Sequence, residues 1–242
     1  MGLLHRSLVM LLFLMWVFWL PKFSAELPGF SQARVLDALL QDYAYRAFGK
    51  RTKTGTVYDG HPPSNLTGIQ VSAMRLRSGS LRRKGVGYKE FQIPEGVIEG
   101  PYVERLVLVY QNLGNWSTSY YRLPGYIYVA PVLGLLAYDA SNLSAKNLHE
   151  LHIMASGKPI SIEFSDLKQV PDGSVPECVA IGLDGSANFS NVVTGNICST
   201  FQQGHFSIVA KSIAPSPAPI SPSPQGELQR RVGEKRRLPR SG

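Results

Sequence analysis

Leu106-Val107-Leu108-Val109-Tyr110 is an unbroken apolar run. A strand with one wet face would alternate, so this run predicts a strand covered on both faces. Ile160-Ser161-Ile162-Glu163-Phe164 does alternate, and predicts one face inward and one outward. Outward from these two, Ile69–Leu76, Val103–Gln111, Tyr126–Val129, Val132–Tyr138, Leu151–Ala155, Cys178–Leu183 and Phe206–Lys211 are further strand candidates. Turn chemistry separates them at Asn112–Gly114, Leu123-Pro124-Gly125, Ser156-Gly157, Pro171-Asp172-Gly173 and Asp184-Gly185. Short strands at this spacing favour a sandwich or barrel over alternating βαβ units. The expectation is a mainly β fold, an antiparallel, jelly-roll-like β-sandwich with one N-terminal helix.

That helix is predicted from Val35, Leu36, Leu39, Leu40, Tyr43 and Ala47, which recur at three- and four-residue spacing. Ser31 is the expected N-cap and Gly49 the stop. A single apolar stripe on a short helix docks on something, here a sheet or its edge.

The chain ends read differently from its body. His5 and Arg6 precede the apolar run Leu8–Leu20, Pro21 closes it, and Ser24–Ala25 offers a cleavage point. This is the layout of a secretory signal peptide over 1–25. An uncleaved signal-anchor, flanked by Trp16 and Trp19, is the other reading, and Phe23 stands where a small residue usually precedes the cut. A β-rich ectodomain is expected over 26–213. At Ala214 the composition shifts to alternating Ala-Pro and Ser-Pro, an extended spacer over 214–224 that also resembles arabinogalactan-type modules. Residues 225–242 are polar and basic, a pattern of disorder.

Charge follows the same division. The net charge is +8, of which residues 1–25 carry +2 and residues 214–242 carry +4, leaving +2 for the body. A nucleic-acid-binding domain is therefore not expected. One local basic stretch remains: Arg75, Arg77, Arg82, Arg83, Lys84 and Lys89. It reads as a solvated loop or hairpin, or as a contact for an acidic polysaccharide or anionic headgroups.

Cys178 and Cys198 are the only cysteines, and in a secreted chain two cysteines allow one pairing. Asn65, Asn115, Asn142 and Asn188 each open an Asn-x-Ser/Thr sequon, which takes up half the asparagines of the chain. All four fall between the strand candidates, where a bulky glycan reaches water.

Catalytic and metal signals are thin. His149 and His152 lie three apart, but Leu151 and Ile153 alternate with Glu150 and His152 as in a strand, which sends the two histidines to opposite faces. No metal site and no cofactor are expected. His205, beside Gly204, reads as a turn residue. There is no Gly-x-Ser-x-Gly elbow and no paired-carboxylate motif, and Asp139, Glu163 and Asp166 read as solvated carboxylates. Trp116, Tyr120, Tyr121, Tyr126 and Tyr128 crowd around the Asn115 sequon. Flat rings with polar handles suit sugars or a protein partner, or they form the edge of the core.

Several stretches carry a family resemblance: Leu36–Ala44, Thr54–Asp59, Pro63–Ile69, Arg75–Ser80, Leu106–Ser117 (LVLVYQNLGNWS) and Ala130–Ala140. They resemble the plant proteins grouped as "domain of unknown function 1191", over roughly residues 31–215. The resemblance implies an ectodomain behind a signal peptide, then a Pro-rich spacer, one transmembrane helix and a cytosolic tail. It carries over no catalytic or binding residue. After Pro224 this sequence turns basic with no apolar run long enough to span a bilayer, which reads as a truncated or alternatively spliced product. Membrane association would then rest on an uncleaved N-terminal segment.

The functional expectation is a plant cell-surface or apoplastic glycoprotein in the secretory pathway. Its ectodomain would bind wall polysaccharide or a surface protein through Trp116, Tyr120, Tyr121 and Tyr126, or through Arg82 and Arg83. A secreted hydrolase with an unrecognised site and a wall-associated spacer are the alternatives.

Overall fold

A computed structural model describes residues 29–49, 51–165 and 167–212. The expected signal peptide, the Pro-rich spacer over 214–224 and the tail over 225–242 lie outside the described residues, as does Asp166.

The chain opens with helix α1 (Phe30–Arg46) and continues with strands β1 (Val57–Gly60) and β2 (Gln70–Arg77), then the short helix α2 (Ser78–Lys84). Next come β3 (Val86–Tyr88), β4 (Phe91–Ile93), β5 (Val97–Gly100) and β6 (Arg105–Asn112), then one turn of helix, α3 (Ser117–Tyr120). Strands β7 (Tyr126–Tyr128), β8 (Leu133–Asp139), β9 (His152–Ala155), β10 (Ile160–Glu163), β11 (Pro176–Ile181), β12 (Ala187–Asn191), β13 (Ile197–Thr200) and β14 (Gly204–Lys211) complete it. All strand pairs are antiparallel. An eight-stranded sheet runs β1-β2-β6-β8-β14-β11-β12, with β7 also on β14. A four-stranded sheet runs β13-β10-β4-β3, and β5 pairs with β9.

The double-faced strand appears where the apolar run predicts it. On β6, Leu106, Leu108 and Tyr110 enter one core while Val107 and Val109 enter another. β8 divides likewise, with Leu133, Leu135 and Ala137 on one side and Leu136 and Tyr138 on the other. The first core is closed by the four-stranded sheet, whose Tyr88, Phe91, Ile93, Ile160 and Ile162 pack across it. Phe91 meets Tyr110 and Phe206 edge-on at 6.2 and 6.0 Å. These two packed sheets are the β-sandwich. The second core is closed by α1, which gives the large sheet a helical cover.

α1 departs from the expected pattern in two ways. Its N-cap is Gly29, whose carbonyl accepts from Gln32 N and Ala33 N, and Ser31 lies inside the first turn. Gly29 has φ +84°, a conformation glycine adopts without strain. The inward stripe is Phe30, Ala33, Leu36, Leu40 and Ala44, while Val35 is 71% exposed and Leu39 38%. Two polar residues take the space assigned to them: Asp37 and Gln41 are buried.

Asp37 explains that rotation. Its Oδ2 accepts from Arg34 Nη1 at 2.8 Å, and its Oδ1 lies 3.0 Å from His205 Nε2. Arg34 Nη2 reaches Glu150 Oε1 at 2.7 Å, and Tyr138 Oη donates to the same oxygen at 3.2 Å. His205 Nε2 is also 3.3 Å from Gln111 Oε1, so the proton belongs on Nε2, between two acceptors. The turn placement of His205 is corrected here: it is the second residue of β14, 1% exposed, with the Tyr121 ring 4.7 Å from its own. Its partner across the ladder is Gly134, where a Cβ would stand 3.0 Å from both the imidazole and Gln111 Oε1. Glycine therefore makes the room for the ring. Burial, with Asp37 close by, raises the Tyr121 and Tyr138 hydroxyls far above the usual phenol range, so both stay neutral, Tyr138 as the donor to Glu150.

Cys178 on β11 and Cys198 on β13 are bonded, with Cα atoms 5.7 Å apart. The bridge ties the large sheet to the four-stranded one. Closing a loop of 20 residues is expected to contribute about 3 kcal/mol. Urea unfolding of the Cys178→Ala/Cys198→Ala double variant should show that loss, and an unchanged midpoint would mean the bridge constrains little. Asp37→Ala, which strips the acceptor from Arg34 and His205, should cost about 3 kcal/mol or more in the same assay. Asp59→Ala, whose partner Lys89 sits at the surface, should cost about 1 kcal/mol or less.

Candidate functional site

A cleft of about 600 Å³ opens near the disulfide, lined by residues of β11, β12, β13 and the turn after β13. Its geometry follows from strand register. Asn188 on β12 pairs with Ala180, and Ser190 pairs with Cys178. Directly opposed residues share a face, so Asn188 and Ser190 point toward the first core, like Ala180 and Cys178. Ser199 and Thr200 of β13 and the turn that follows line the same cleft.

That turn displays Phe201. Thr200 Oγ1 donates to Gln202 O at 3.0 Å and accepts from Gln202 N at 3.2 Å, which closes the turn on itself. Ala155 N donates to Phe201 O at 2.8 Å, pinning it to β9. Gln203 is buried beneath, donating to Leu151 O and accepting from Ala137 N. The backbone is thus held on three sides while the Phe201 ring is 51% exposed. The same cleft is lined by amides and hydroxyls and by the apolar Ala180, Ile181, Leu183, Phe206 and Phe189, the last 40% exposed. Among the lining residues only His152 and Asp184 can carry charge. Asp184 is held below the ordinary carboxylate range by hydrogen bonds from the Ser186 hydroxyl and amide, so it stays an anion. A fixed aromatic face among neutral donors and acceptors is suited to binding a neutral, hydroxyl-rich ligand.

The expected aromatic surface does not assemble as one patch. Trp116 and Tyr120 are half-buried with rings 6.2 Å apart, and Trp116 Nε1 is spent on Thr67 O at 3.0 Å. Tyr121 is 1% exposed beneath α1, and Tyr128 is buried with its hydroxyl on Tyr121 O, so neither offers a face to a ligand. Tyr126 stacks at 4.7 Å on Phe189, whose ladder partner Val179 faces the second core.

The basic stretch is also divided. Arg75 is half-buried and donates to Ala140 O, while Lys89 reaches Asp59 at 3.0 Å. Arg82 and Arg83 stay exposed in the last turn of α2, where cations complement the helix dipole, and Arg83 Nε donates to Gly79 O. His149 and His152 are both exposed: His152 opens β9 and points away from buried Leu151 and Ile153, but His149 lies ahead of the strand, so the expected alternation does not reach it. Of the carboxylates, Asp139 takes both hydrogen bonds of Ser141, and Glu163 is exposed. The Asp37–His205 pair is sealed between helix and sheet, each residue 1% exposed.

All four sequon asparagines are exposed. Asn65 and Asn115 stand in 3-10 turns and Asn142 in a loop, but Asn188 lies within β12 rather than between strands. Phe201 was not singled out from sequence. Its signal is a lone aromatic among hydroxyls and amides, Ser199-Thr200-Phe201-Gln202-Gln203, directly after a disulfide cysteine.

No curated protein and no solved structure matches this chain. The profile of the family described as "Protein of unknown function (DUF1191)" matches residues 30–211, from the first residue of α1 to the last of β14. Since that match takes in every strand and helix described above, the chain belongs to the DUF1191 family.

Proposed function

We propose that this chain is a plant cell-surface or apoplastic glycoprotein whose β-sandwich is a binding module, taking a neutral polysaccharide segment in the cleft between β12 and β13. The observation that carries the reading is Phe201, half-exposed on a backbone pinned from three sides, with Asn188, Ser190, Ser199, Thr200 and Gln202 around it. Sugar rings stack on such a face through their C–H groups and use neutral amides and hydroxyls for their own hydroxyls. The disulfide suits an oxidising compartment, and the exposure of every sequon asparagine supports modification there.

The test is calorimetry of the full secreted chain, as made and after enzymatic deglycosylation, against cellohexaose, xyloglucan and mannan oligosaccharides. Binding by at least one form is expected. Phe201→Ala should weaken it about tenfold, the ~1.4 kcal/mol scale of one aromatic contact, with far-UV circular dichroism unchanged. Trp116→Ala and the Arg82→Ala/Arg83→Ala double variant should bind as the parent does. Binding of an acidic pectin fragment that vanishes with the arginines and survives Phe201→Ala would overturn the cleft in favour of α2.

A further inference from the structure

The cleft has a wall residue of unusual chemistry. Asn188 is the acceptor of the Asn188-Phe189-Ser190 sequon, and Ser190, two residues on, faces the same side of β12. A glycan on Asn65, Asn115 or Asn142 would start from a turn or loop. One on Asn188 would start from a residue that lines the cleft, as Phe201 does.

We propose that the Asn188 N-glycan is the resident occupant of this cleft, its first N-acetylglucosamine units lying against Phe201 and closing the site in cis. The inference rests on the carbohydrate reading of the cleft. Modification joins the Asn188 amide nitrogen to the anomeric carbon of a polyprenyl-diphosphate oligosaccharide. The donor's C1–O bond breaks, the polyprenyl diphosphate leaves with the bonding pair, and the amide gives up one proton. The acquired glycan has the hydroxyls, acetamide and apolar ring faces that the cleft is built to meet. Tethered to the cleft wall, it competes at an effective concentration of order mM, which a free oligosaccharide of similar affinity does not overcome at ordinary concentrations. The chain would therefore bind external polysaccharide more weakly while this one sequon is modified.

β12 adds a second observation. It is the last strand of the large sheet, pairs only with β11, and exposes four of its five residues. Such an edge invites pairing with another chain unless something covers it. A glycan folded back across the cleft covers it from the sandwich side.

The experiment compares the full secreted chain with its Ser190→Ala, Asn188→Gln and Asn142→Gln variants. Glycopeptide mass spectrometry reads occupancy, calorimetry reads cellohexaose and xyloglucan oligosaccharide binding, and light scattering reads self-association. The expected result is an occupied Asn188, weak binding by the parent and by Asn142→Gln, and binding about tenfold tighter in both Asn188→Gln and Ser190→Ala. An unoccupied Asn188 in the secreted chain overturns the proposal. So does equal binding by parent and Ser190→Ala, which would leave the cleft as an open carbohydrate site. Self-association without a gain in binding would make the glycan a guard of the strand edge alone, again overturning closure. Absence of binding in all four chains would remove the carbohydrate reading and the closure with it.

Discussion

The rest of the molecule depends on β6 and β8 being apolar on both faces. A strand of that kind cannot sit at a surface, so two covers must be supplied from elsewhere in the chain. One is the four-stranded sheet, which makes the sandwich. The other is α1, which precedes every described strand in the chain and docks against β1, β2 and β6. The layers are therefore helix, large sheet, small sheet. The two cores share no side chain but are separated by one backbone thickness.

The helix cover is fixed by polar groups in an otherwise apolar interface. Hydrophobic contact is non-directional and would tolerate α1 turned about its axis. Asp37, reaching Arg34 on its own helix and His205 on β14, admits one rotation. Buried ionic contacts of this kind are poor sources of net stability, because desolvation offsets most of the attraction. Their value here lies in register. The helix is turned so that Val35 faces solvent and Asp37 does not, which its hydrophobicity alone would not select.

This is also where sequence reading runs out. β6 and β8 were legible because burial on both faces demands long apolar runs, and β11 and β14 because β-branched and aromatic residues cluster in them. The three-residue strands β3 and β4 are too short to show a period. β12, Ala187-Asn188-Phe189-Ser190-Asn191, is polar because it pairs on one side only, so it reads as a turn carrying a sequon. His205 and Asp37 are 168 residues apart, and no local pattern announces that they meet. The disulfide was legible because two cysteines leave no choice. The cleft was not, since its lining comes from β11, β12, β13 and the turns beside them, and only the packing of one sheet on the other brings Asn188 and Phe201 to the same cleft.

The place of the cleft follows from the same mismatch that shapes the fold. A large sheet laid over a four-stranded one must overhang it, and the overhang leaves an inner face with no apolar partner. Apolar side chains there would invite aggregation; polar ones are solvated and can be specific. The β12 face carries asparagine and serine at the overhang, while the disulfide stops the two sheets from separating beside it. A rigid hinge line, polar side chains and the exposed Phe201 and Phe189 give a pre-formed concave surface that needs no ordering to bind. That is the condition under which a shallow site can hold a weakly binding ligand such as a sugar chain, because little conformational entropy is left to lose.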